Sequence, residues 1–224
     1  MRFAILCTVA LTVSICSIVS NPQQSFAVPA YTLALPNGQP VDGDTGTYSM
    51  GFEFTTSQNF NIDALGYNAN NQFSGEHRVG IFDVNSQALL VSADVTVPSG
   101  NFNLEDFVYQ SLNTPYVLPA GTYRLAGTTF NYPTSGTAHG YIFTNNNSHY
   151  IEAAGITYGD GTFTQASGNL FFPSTTTSNN FYNVNFQFSE ILPPAPLAAP
   201  EPTSLVLCSS ALFGIAVRRR RNRN

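Results

Sequence analysis

Lysine and tryptophan are both absent from this 224-residue chain, and cysteine occurs three times, at Cys7, Cys16 and Cys208. All three cysteines fall in the terminal segments. The stretch between them therefore has no internal disulfide, no cysteine nucleophile and no cysteine-ligated metal. Between Val28 and Ala199 the only basic residues are Arg78 and Arg124, against 12 acidic ones, a formal balance of −10. A surface of that sign repels nucleic acid and anionic lipid, which excludes a nucleic-acid role for this part of the chain. Without tryptophan, any aromatic platform for a ligand has to be built from the 11 tyrosines and 18 phenylalanines.

Catalytic motifs are missing too. There is no Gly-x-Ser-x-Gly elbow, no His-Glu-x-x-His and no phosphate-binding glycine loop. His77, His139 and His149 are too far apart for a helical metal pair. Glu76 and His77 are neighbours, so on a strand they point to opposite faces, and His77 is expected at a solvated strand end. Glu105 and Asp106 are adjacent in the same way. A glycosidase needs two carboxyls about 5 to 9.5 Å apart across a cleft, and nothing in the pattern selects two. No catalytic residue is assigned, and the chain is expected not to be an enzyme. For a cation, Asp42 and Asp44 in "VDGDTG" form a candidate Ca²⁺ pair, although Ca²⁺ takes about six to eight oxygens. No other cofactor is implied.

What is present begins with strands. "TYSMGFEFTT" alternates Tyr48, Met50, Phe52 and Phe54 with smaller residues. "NIDALGYN" predicts Ile62, Ala64 and Gly66 on one face with Leu65 and Tyr67 on the other. "FYNVNFQFS" sets Tyr182, Val184, Phe186 and Phe188 against Phe181, Asn183, Asn185 and Gln187. Apolar runs in "HRVGIFDV" and "QALLVSADVTV" flank a turn at "NS". Further turns are expected at Asn37-Gly38, Pro98-Ser99-Gly100, Pro119-Ala120-Gly121 and Gly159-Asp160-Gly161. Short strands with frequent turn residues predict an all-β chain, a single antiparallel β-sandwich of jelly-roll type over residues 31–190. Sugar binding would use Tyr67, Tyr132, Tyr141, Tyr150 or Tyr158 beside the many asparagines. "NNS" at Asn146–Ser148 is a formal glycosylation sequon, and "PSTTTSNN" offers hydroxyls for O-linked sugar.

The two ends carry targeting signals. Arg2, the apolar stretch Phe3–Val19 and the small-x-small triplet Ser25-Phe26-Ala27 predict a signal peptide over residues 1–27, cleaved by signal peptidase after Ala27; Val28-Pro29-Ala30 is a weaker second site. At the other end, "LPPAPLAAP" is an extended tether, the linker being residues 191–199. Thr203–Val217 is 15 uncharged residues, about 22 Å as a helix at ~1.5 Å per residue. That is short of the roughly 30 Å hydrocarbon core, so the expected transmembrane helix is a marginal anchor. Arg218, Arg219, Arg220 and Arg221, with Arg223, stay cytoplasmic by the positive-inside rule.

Pro200-Glu201-Pro202, the apolar segment and the arginine tail together resemble a PEP-CTERM sorting domain, residues 200–224. That resemblance implies recognition by an exosortase, a membrane-embedded cysteine transpeptidase of bacteria that make exopolysaccharide. It covers only the tail. The middle is similar, over roughly residues 45–130, to a β-sandwich family of unknown function found in bacterial exported proteins. Phe52 and Phe54, Ile81-Phe82-Asp83 and Leu118–Tyr123 carry that likeness, which implies a fold and no activity. The expected protein is exported, held transiently in the membrane, then delivered to the cell surface or extracellular matrix. There it has a structural or adhesive role in exopolysaccharide. The alternative is a carbohydrate-binding module or a polysaccharide-active enzyme.

Overall fold

The computed structural model describes residues 27–34, 41–42, 46–100, 102, 106–130, 141–144 and 150–191. Ala27 is among them and is exposed. The rest of the signal peptide, Asp44, and the sorting signal with Pro200, Glu201, Pro202 and Arg218–Arg221 lie outside the described residues. So do Tyr132, the sequon, the turn at Asn37-Gly38 and the transmembrane segment.

Among the described residues fifteen strands follow one another: β1 (Val28–Pro29), β2 (Tyr31–Leu33), β3 (Val41–Asp42), β4 (Tyr48–Thr56), β5 (Phe60–Asn68), β6 (Gly75–Asp83), β7 (Leu89–Val97) and β8 (Phe107–Leu118). They continue as β9 (Gly121–Thr128), β10 (Tyr141–Thr144), β11 (Tyr150–Glu152), β12 (Ile156–Gln165), β13 (Thr175–Thr177), β14 (Asn180–Phe181) and β15 (Val184–Glu190). Among the described residues the only helical piece is a 3₁₀ turn at Asn71–Phe73. Every strand pair is antiparallel. A six-stranded sheet runs β13-β12-β4-β9-β6-β7 and a four-stranded sheet runs β1-β15-β5-β8. A three-stranded sheet, β14-β10-β3, and the pair β11-β2 complete the set. The described part of the chain is all-β, and its arrangement is consistent with a β-sandwich.

The core lies where the two large sheets share apolar side chains. Phe52 and Phe54 of β4 meet Val184, Phe186 and Phe188 of β15, with the Phe54 and Phe186 rings 4.9 Å apart. The alternation expected in "FYNVNFQFS" is what buries Tyr182, Val184, Phe186 and Phe188 together. Asn183 and Asn185, on the other parity, are buried as well. The turn after β6 is made by Asp83, whose carboxylate accepts from both the backbone N–H and the hydroxyl of Ser86 at 2.7 Å. Those two bonds hold the Asp83 carboxyl below its usual range. Pro119-Ala120 links β8 to β9 as expected, and the Tyr123 hydroxyl donates back to the Pro119 carbonyl at 2.9 Å.

Two local expectations fail, both at bulges. The pairing of β5 with β15 shifts register between Ile62 and Ala64, leaving Asp63 as the extra residue. An extra residue inverts the side-chain alternation, so Ile62 joins Leu65 and Tyr67 in the core instead of opposing them. Gly159-Asp160-Gly161 is no turn between strands but the interior of β12. There the pairing with β4 steps from Tyr158↔Phe54 to Gly161↔Phe52, again one residue too many. Gly161 is required at that point: a Cβ would sit 1.8 Å from the Asn179 carbonyl oxygen. The sheet also starts earlier than residue 31, because β1 pairs Val28 and Pro29 with Phe188 and Gln187.

Candidate functional site

On β4, Tyr48 and Met50 have the same parity as Phe52 and Phe54, so the core-facing row of this strand extends beyond the core itself. At that end β12 brings Phe163 opposite Met50. The small sheet adds Phe181 of β14 and Tyr141 of β10. These residues, with Thr177 and Asn179, line an open cleft of about 300 Å³. The aromatic rings form a continuous row. Tyr48 meets Phe163 at 6.1 Å, Phe163 meets Phe181 at 6.1 Å, and Phe181 meets Tyr141 at 5.4 Å, each edge to face. Met50 and Phe181 are buried at the base, whereas Tyr48, Tyr141 and Phe163 are half-buried.

The polar wall is held from behind. The Asn179 N–H donates to the Thr177 hydroxyl at 3.3 Å, closing the bend between β13 and β14. Gly161 lets that bend approach β12. Tyr48 is fixed through its backbone, its N–H donating to the Thr129 hydroxyl and its carbonyl accepting from the Thr129 N–H, both at 2.9 Å. β10, which carries Tyr141, is held by Asn183: the Ile142 N–H donates to Asn183 Oδ1 at 2.9 Å. Asn183 Nδ2 then donates to the Tyr67 hydroxyl at 3.3 Å, and Tyr67 donates to the Thr128 carbonyl at 3.0 Å. Buried polar groups keep such partners because an unmade bond costs about 1–3 kcal/mol.

The same network corrects two assignments. His77 is fully buried, not at a solvated strand end. Its ring stacks on Tyr67 at 3.9 Å and 8°, with Nδ1 2.7 Å from the Thr128 carbonyl and Nε2 2.8 Å from the Phe73 carbonyl. Its parity matches Val79 and Ile81 of the same strand, a signal that places it inward. Glu76 points the other way and is half-buried, as adjacency on a strand requires. Tyr67 is no sugar platform, since it is fully buried, and Tyr158 is buried in the core against Phe52. Tyr150 packs half-buried against Tyr158 and Tyr182. Of the five tyrosines named from the sequence, Tyr141 alone among the described ones reaches the cleft. Tyr48, Phe163 and Phe181 were not anticipated, because no local pattern joins residues 48, 141, 163 and 181.

For a metal, no group of three or more histidine, cysteine or acidic residues comes together among the described residues. Asp42 belongs to β3, which pairs with β10, and its partner Asp44 is outside the described residues. No family model matches the chain, and no curated protein matches it. Both resemblances therefore rest on the residues that carry them.

Proposed function

We propose that this is an exported, non-catalytic protein whose jelly-roll-like β-sandwich holds polysaccharide in the extracellular matrix through the aromatic cleft. The observation that carries it is the row Tyr48–Phe163–Phe181–Tyr141 beside Thr177 and Asn179. Sugar rings have apolar C–H faces and a rim of hydroxyls, and binding sites for them combine apolar aromatic walls with a few placed polar groups. The jelly-roll description is supported by the chain passing between the two large sheets at β4–β5, β5–β6, β7–β8 and β8–β9. The rival of a sugar-cleaving enzyme needs two facing carboxylates, and the described lining of the cleft has neither aspartate nor glutamate.

Export and sorting by an exosortase are proposed from the two termini. Removal of residues 1–27 leaves β1 whole. The weaker site after Ala30 would strip β1 from the edge of its sheet. It would also remove fully buried Ala30, whose N–H donates to the Phe186 carbonyl at 2.8 Å and whose carbonyl accepts from Ala153 at 2.9 Å. That loss favours cleavage after Ala27.

Intact mass and terminal peptide mapping of the protein recovered from its host test the sorting half. The expected species begins at Val28 and ends close to Pro200–Pro202. A species still carrying Arg218–Arg221 would mean a retained C-terminal anchor and would remove the exosortase from the account.

A further inference from the structure

We propose that the glycan taken by the cleft is uncharged. This rests on the cleft being a sugar site and adds the class of sugar.

An anionic polymer carrying uronate, sulfate or phosphate groups needs cations to replace the water it loses on binding, because burying an unpaired charge is strongly unfavourable. From Val28 to Ala199 this chain has two, Arg78 and Arg124. Both are committed elsewhere. Arg78 pairs with Asp94 at 3.7 Å and donates to the Ser92 hydroxyl at 3.2 Å. Arg124 is 9 % exposed and lies on the opposite face of β9 from Leu125, which points into the core. There it pairs with Glu53 at 3.1 Å, donates to the Pro173 carbonyl, and sits 5.0 Å from the centre of the Phe172 ring. Neither arginine lines the cleft. Segments outside the described residues supply no substitute, since no other lysine or arginine occurs in that span. The balance of −10 across the same span adds long-range repulsion of polyanions.

For a cationic amino sugar, the described lining offers no carboxylate to pair with. The lining instead fits a neutral pyranose, with rings to meet its C–H faces and the Thr177 hydroxyl and Asn179 amide to meet its hydroxyls. Among the described residues no group bonds the Asn179 side-chain amide, so it is available to a ligand.

The test is affinity electrophoresis of the processed protein recovered from its host, which begins at Val28 and lacks the arginine tail, through gels containing dextran, mannan or mixed-linkage β-glucan, and in parallel alginate or polygalacturonate, at low and high salt. At least one neutral polymer is expected to retard the protein. That retardation should not change with salt, since no ion pair is formed. The anionic gels are expected not to retard it. A Tyr48→Ala/Tyr141→Ala variant should bind about tenfold more weakly. An unchanged melting temperature would check that the double variant is folded. Retardation by alginate or polygalacturonate equal to that by neutral polymers, or a salt-sensitive interaction, would overturn the inference and leave the sugar site standing. Retardation by neither class would overturn the sugar site itself.

Discussion

Raised above about pH 10, the protein is expected to unfold cooperatively, with its three buried phenols, Tyr31, Tyr67 and Tyr158, ionising as it unfolds rather than before. Tyr31, Tyr67 and Tyr158 are buried, and burial is the main reason each phenol is pushed above its ordinary value near 10. The neighbouring Tyr109 and Tyr182 raise Tyr31 further, and Tyr31 and Tyr150 raise Tyr158. At Tyr67 the bond from Asn183 works in the opposite direction without cancelling the burial. Below the unfolded value these side chains are neutral in both states, so the stability they contribute is fully present. Above it the unfolded chain releases protons that the fold retains, so stability falls as pH rises. Each such group weakens the fold by roughly 1.4 kcal/mol per pH unit, and three together by about 4. A domain of ordinary stability, about 5–15 kcal/mol, would be unfolded within a few pH units. With far-ultraviolet circular dichroism and phenolate absorbance followed together, the last part of the phenolate signal, from the buried rings, should appear only as the dichroism is lost. Phenolate appearing at full amplitude near pH 10 with the dichroism unchanged would contradict the buried placement of these rings.

Phe52→Ala should cost about 3–5 kcal/mol, the range for removing a fully enclosed ring from a core that cannot collapse around the gap. Phe52 is 0 % exposed. Its ring stacks on Tyr158 at 3.9 Å and meets Tyr31 at 5.7 Å and Phe54 at 6.2 Å. The substitution therefore strips contacts from two tyrosines as well, and the backbone there cannot close in. Gly51 beside it already lies against Leu125, such that a Cβ would be 2.0 Å from that carbonyl oxygen. Urea unfolding should show a lower midpoint with little change in slope. A loss under about 1 kcal/mol would mean that the two sheets do not pack through this residue.

How far the sequence alone reaches depends on whether the signal is local. Alternation in "FYNVNFQFS" specifies which face of β15 is buried because nothing interrupts it. Alternation in "NIDALGYN" misleads because the bulge at Asp63 depends on the partner strand, which the segment itself does not encode. Gly159-Asp160-Gly161 has turn composition, yet its glycines serve a bulge and the close approach of Asn179. His77 and Tyr67 were misplaced for a different reason: polar character outweighed parity, although each alternates with core residues of its own strand. The cleft was not legible at all beyond Tyr141, since its rings come from four strands joined only by tertiary pairing.

We propose that the termini carry the protein out and that the cleft keeps it in the matrix. The most direct measurement is the partition of the protein between extracellular matrix and medium in cultures of its host, comparing the native chain with the Tyr48→Ala/Tyr141→Ala variant. Both should be exported and processed alike. The account predicts that the native protein stays with the polysaccharide while the folded variant is released into the medium. Equal retention of the variant would show that something other than the aromatic cleft holds the protein in place.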